Sequence, residues 1–120
     1  MSRILVVEDH EPTRLRLTQV LRGWGHEVYS VATVFEAKQV LDQFPIDLLI
    51  SDIDLPDGSG WELGRIARLC TRCPAIAMSG ASTDDDVRMS LGAGFCVHLS
   101  KPLSAQPFAD AVTDALQGAS

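Results

Sequence analysis

The chain has 120 residues, 46% apolar and 22% charged, with a formal net charge of −6. A chain of this size and composition fits one domain able to bury its own core, so a single domain over 1–120 is expected. The acidic balance excludes the basic footprint of a nucleic-acid binder, and no apolar run approaches the roughly 18 residues of a membrane span.

Met1-Ser2-Arg3 enters an apolar run at once, which leaves no room for a secretory leader; a cytoplasmic location without membrane insertion is expected. Ile4-Leu5-Val6-Val7 reads as a strand buried on both faces. Leu17, Val20, Leu21 and Trp24 then repeat at helical spacing, with Gly23 and Gly25 as stop signals. Glu27 to Val31 alternates and belongs at a sheet edge. Ala37, Val40, Leu41 and Phe44 form a second helical stripe, opened by Thr33 and Glu36 at capping-box spacing. Leu48-Leu49-Ile50 is a third strand. Ser59 and Glu62 open a third helix, striped by Leu63, Ile66, Ala67 and Cys70. Ala75 to Met78 is a fourth strand. Ser82 ahead of Asp84-Asp85-Asp86 suits a helix start; that fourth helix shows only Val87 and Leu91 as apolar residues, with Gly92 as its stop. Phe95 to Leu99 is a fifth strand, and Phe108, Ala111, Val112 and Ala115 stripe a fifth helix.

Regular βα alternation implies an α/β three-layer sandwich, a five-stranded parallel sheet with helices on both faces. Three cysteines, an odd number, argue against a disulfide framework. Cys70-x-x-Cys73 has redox or metal spacing, but no second pair supplies further ligands; a core cysteine at a helix end beside a loop cysteine is expected.

In such sheets function sits at the carboxyl ends of the strands. Glu8-Asp9 ends the first strand, Ser51-Asp52 the third and Ser79 the fourth, and Lys101-Pro102 follows the fifth. Two like charges about 5 Å apart cost about 3 kcal/mol at an effective dielectric of about 20. Three acids on one rim would cost roughly 10 kcal/mol, comparable with the stability of a domain. One lysine does not offset that, so a divalent cation is expected to join, and an all-oxygen donor set suits magnesium. The same rim suits phosphoryl transfer: a carboxylate nucleophile, a hydroxyl, and cations to neutralise the transferring group.

The matching segments are Ile4 to Asp9, Asp47 to Gly60, Met78-Ser79-Gly80 and Lys101-Pro102. Over about Ser2 to Gln117 the chain resembles the receiver domain of bacterial two-component response regulators. The resemblance implies a flavodoxin-like (βα)5 fold with strand order 2-1-3-4-5. It makes Asp52 the phosphoacceptor, Asp9 a direct ligand of Mg2+ (or Mn2+), Glu8 a ligand through water, and Asp54 a ligand through its backbone carbonyl. Ser79 becomes the switch hydroxyl, Lys101 the cation at the phosphoryl group, and Lys101–Pro102 a cis bond. Where the family often has Tyr or Phe, His98 stands as a candidate second switch residue. Ser59 stands where Asp is common.

The implied partners are a histidine kinase or histidine phosphotransfer domain, an output domain or protein, and a second copy on phosphorylation. Pro12, Leu15 and Val20 of the first helix form a candidate docking face for the donor. Ala93 to Pro102 is most like receivers of hybrid sensor kinases. A phosphatase with an aspartate nucleophile is the rival reading, since Asp52-Ile53-Asp54 has the spacing, but 120 residues leave no room for a cap domain. A nucleotide-binding module lacks its glycine motifs. A phosphorylation-dead receiver is disfavoured because acids, hydroxyl and lysine are all present.

Overall fold

The structure, a computed structural model, describes residues 2–80 and 83–118. Strands β1 (Arg3–Val7), β2 (Glu27–Val31), β3 (Leu48–Asp52), β4 (Ala75–Ser79) and β5 (Val97–Ser100) alternate with helices α1 (Glu11–Gly23), α2 (Val34–Gln43), α3 (Gly60–Ile66), α4 (Asp84–Ala93) and α5 (Ala105–Gly118). Every pairing among the five strands is parallel, and their order is 2-1-3-4-5, the flavodoxin-like arrangement.

Alternation within the strands builds the layers. Leu5, Val7, Leu49, Ala75 and Ala77 face one way and pack with Val34, Ala37 and Leu41 of α2 and Leu63 of α3. Ile4, Val6, Leu48, Ile50, Ile76 and Met78 face the other way, onto Leu17 and Leu21 of α1 and Phe108 and Val112 of α5. Both faces of β1, β3 and β4 are thus dry, which is why these strands read as unbroken apolar runs. Each buried Leu, Ile or Val contributes roughly 1.5–3 kcal/mol. At the sheet's edge, β2 keeps its alternation and leaves Ser30 exposed.

Several stripes outrun their helices. Trp24 lies beyond the end of α1 and is 45% exposed, its ring tilted against Phe108 at 5.9 Å. Phe44 follows α2 in extended backbone and stacks on Tyr29 instead. From Ala67 to Thr71 the chain winds as a π-helix. Each bond there spans five residues rather than four, so the stripe drifts and Cys70 turns outward. Cys73 is the buried cysteine, the reverse of the expected pair.

The caps also differ in part. Thr33 accepts from the Glu36 N–H (3.1 Å), but the Glu36 carboxylate accepts from the Ala32 N–H (3.3 Å) and not from that of Thr33, so the expected box is half formed. Ser59 accepts from the Trp61 N–H, and Glu62 instead pairs with Lys38 of α2. A reciprocal box forms at Thr83 and Asp86; Ser82 lies outside the described residues. Helix α4 buries Ser90 and Ala93 and leaves Leu91 exposed, so its inward face is small and partly polar. It continues through Gly92 and stops at Gly94, whose φ of 117° suits a residue without Cβ.

The fifth strand begins at Val97, later than its apolar run. Phe95 is a plug: 3% exposed, it lies against the bare backbone of Gly64 in α3. A Cβ at Gly64 would sit 2.5 Å from its ring. Gly64→Ala is expected to cost about 1–3 kcal/mol through overpacking, seen as a lower urea midpoint at unchanged m-value.

Candidate functional site

Sheet register brings the rim together. Val7 pairs with Ser51, so the residues that follow, Glu8 and Asp52, leave the sheet side by side. Asp52 pairs with Met78 and Ser79 with Ser100, which sets Ser79 and Lys101 on the far side of Asp52. The Lys101–Pro102 bond is cis, and the Lys101 N–H donates to the Ser79 carbonyl at 2.8 Å.

At the centre is a three-residue ion cluster. Lys101 Nζ donates to Glu8 Oε1 (2.7 Å), Glu8 Oε2 (2.9 Å) and Asp52 Oδ2 (2.6 Å). The other oxygen of Asp52, Oδ1, accepts from the Asp54 backbone N–H at 3.2 Å. Glu8 is fully buried and Asp52 is 6% exposed, whereas Asp9 and Asp54 face solvent. One carboxylate oxygen from each of Glu8, Asp9 and Asp52 falls within a 4.8 Å span. These oxygens form the one such acidic group among the described residues, with a geometry compatible with a hard cation. Ser79 is buried beside them.

The loops that carry these groups are tied down. Asp54–Leu55 and Gly58–Ser59 pair as a short antiparallel ribbon, which sequence patterning does not reveal in two-residue pieces. Asp57 at its turn accepts from the backbone N–H groups of Val34 (2.8 Å) and Phe35 (2.9 Å), fastening the loop to the start of α2. Those two N–H groups hold its carboxyl below the usual carboxylate range. Arg14 of α1 donates to the Glu8 carbonyl at 2.9 Å. No motif announces either contact, since both join segments distant in sequence or depend on loop shape.

Electrostatics follow from burial. Desolvation, reinforced by the neighbouring Asp52, pushes the Glu8 carboxyl up to about 7, against the pull of Lys101. Burial also works against the Lys101 charge, but hydrogen bonds to Asp52 and Glu8 outweigh it and raise its pKa. His98 is half-buried, and desolvation lowers its pKa despite Asp86 nearby. Its Nδ1 lies 2.8 Å from Ser90 Oγ, a contact absent from the sequence reading. Cys73 is removed from this rim, in a cavity of about 850 Å3 bounded also by Arg68, Arg72, Cys96 and Asp114. Its thiol is pushed up by burial.

A carboxyl whose pKa is raised on folding favours the folded state most below its unfolded value of 4.5. That contribution is lost as pH climbs to about 7. Thermal melts in excess chelator should therefore show the wild type losing stability, relative to Glu8→Gln, across this window. Parallel curves for the two proteins would contradict the assignment.

Comparison with known proteins identifies the family and the fold. The family model described as "Response regulator receiver domain" matches residues 4–113. The KDP operon transcriptional regulatory protein KdpE of Escherichia coli is 35% identical over 102 residues, covering 85% of this chain and 45% of that protein. The sensor histidine kinase RcsC of Salmonella typhimurium is 29% identical over 102 residues, covering 84% of this chain and 11% of that protein. The chain thus spans less than half the length of either relative. A crystal structure of a two-component response regulator from Clostridium difficile superposes with a TM-score of 0.92 at 26% identity, covering 98% of this chain and 97% of that one.

Proposed function

The chain belongs to the response regulator receiver domain family of two-component systems, and from that premise we propose that Asp52 accepts a phosphoryl group from a phosphohistidine donor with Mg2+ bound. One observation carries the reading: a buried Asp52 carboxylate held by Lys101 at 2.6 Å, within reach of two further acids.

In the proposed reaction an Asp52 oxygen attacks phosphorus. The new O–P bond forms as the P–N bond to the donor imidazole breaks, and the electron pair leaves with that nitrogen. Asp9 and Asp52 would hold the ion directly, Glu8 through water and Asp54 through its backbone carbonyl; manganese could replace magnesium. The ion, when bound, supplies charge neutralisation at the phosphoryl oxygens. Lys101 adds a positive charge on the same side. The Ser79 hydroxyl turns toward the new phosphoryl group, and His98 moves with it, biasing α4, β5 and α5 between two arrangements. No catalytic turnover is assigned to the domain: the phosphoryl group stays as a signal.

Partners follow from exposed apolar residues beside the site. Leu15 and Val20 of α1 and Trp24 just beyond its end are exposed, and Val20 and Trp24 line a groove of about 630 Å3 reaching Pro102, Leu103 and Phe108. This face is proposed to receive a histidine kinase or phosphotransfer domain. The α4–β5–α5 side, with Met89 and Leu91 exposed, would meet an output protein or a second copy. A cytoplasmic location is part of this proposal; no described helix is long and apolar enough to cross a membrane.

Acetyl phosphate with magnesium should label the wild type with an acid-stable, base-labile phosphate. Asp52→Asn, or chelation of the metal, should reduce labelling to background. Labelling retained in Asp52→Asn would refute the assignment, and continuous release of inorganic phosphate from generic phosphate esters would favour the phosphatase reading.

A further inference from the structure

Ser90 is fully buried on α4, and its hydroxyl stands between side chains of two other elements. Trp61, at the start of α3, donates its indole N–H to Ser90 Oγ at 2.9 Å. On the other side, His98 Nδ1 of β5 lies 2.8 Å away. An indole nitrogen only donates, and a hydroxyl carries one proton. Thr18 and Thr71 donate that proton to the carbonyl four residues earlier. With the indole as donor, the Ser90 proton has Nδ1 as an acceptor within reach; donated there, it leaves the imidazole neutral with its proton on Nε2.

These contacts join three elements that surround the acidic rim. Helix α3 begins directly after the loop leaving Asp52, and β5 runs into Lys101. The other buried residue of α4 is Ala93, and Asp86, one turn before Ser90, is a half-buried charge that also acts on His98. We propose that Ser90 is the positioning residue of the conformational switch: its hydroxyl holds the His98 ring in place and couples any movement of that ring to Trp61. This rests on the reading of Asp52 as phosphoacceptor and adds a regulatory element to it. When Asp52 is charged and His98 moves, the Ser90–His98 bond must break or reorganise, and the indole clamped by the same hydroxyl changes surroundings.

The test uses the full chain with Trp24→Phe, leaving Trp61 as the sole tryptophan, and compares Ser90→Ala and Ser90→Thr in that background. Acetyl phosphate and magnesium are added while Asp52 labelling and Trp61 emission are followed together. The expected result is an emission change tracking labelling in the parent, at least a two-fold smaller change in labelled Ser90→Ala, and recovery in Ser90→Thr. Nitrogen-15 spectra of the imidazole should show a bare Nδ1 in the parent and a mixture of tautomers in Ser90→Ala, a signature that packing alone does not produce. A full emission change in labelled Ser90→Ala, or a protonated Nδ1 in the parent at pH 8, would overturn the proposal. Absence of label from every protein, the parent included, would overturn the phosphoacceptor reading instead, and the tautomer spectra would still decide whether Ser90 sets the ring.

Discussion

The ion cluster of Glu8, Asp52 and Lys101 is the constraint around which this molecule is arranged. Two carboxylates, one fully buried and the other nearly so, share a single ammonium group at 2.6–2.9 Å. With Asp9 at the rim, the negative charge exceeds what one lysine neutralises, and burial of Glu8, reinforced by the neighbouring Asp52, raises its pKa against the pull of Lys101. An excess of buried negative charge costs stability. That cost is consistent with the proposed reception of a cation and a phosphoryl group at this rim.

The rest of the fold keeps these side chains together. Parallel pairing of β1 with β3 and of β3 with β4 fixes which residues leave the sheet adjacent to one another. A slip by one residue would turn each strand's side chains to the opposite face and scatter the rim. The slip is prevented because both faces of the central strands are packed dry against helices. Asp57 fastened to α2, and the cis bond before Pro102, shape the loops that present Asp54 and Lys101. Burial of apolar surface thus supplies the stability that an electrostatically costly rim needs, and loop contacts supply its geometry.

On the far side of the rim lies a second polar chain, from Trp61 through Ser90 to His98. It fills a place where α4 contributes little apolar surface. Hydrogen bonds between elements break and re-form more readily than interdigitated packing repacks. A weakly apolar α4 beside the site therefore suits an element that changes position, in contrast to α2 and α3, whose buried leucines lock them to the sheet.

Layer architecture, strand sequence and the set of rim residues were legible in the amino-acid sequence because they depend on local periodicity: continuous apolar runs for doubly covered strands, helical spacing between them, and polar residues at the strand ends. Strand order came from family likeness and not from periodicity, which carries no information on neighbours. Helix ends were less legible, since Trp24 and Phe44 continue their stripes beyond the last turn and the π-winding after Ala67 turns Cys70 outward. Tertiary structure alone decided that Lys101 bridges Glu8 and Asp52, that Phe95 plugs the space over Gly64 and does not begin a strand, and that Ser90 meets Trp61 and His98. Each of these joins residues whose approach is set by the packing of whole elements, a property that no local pattern encodes.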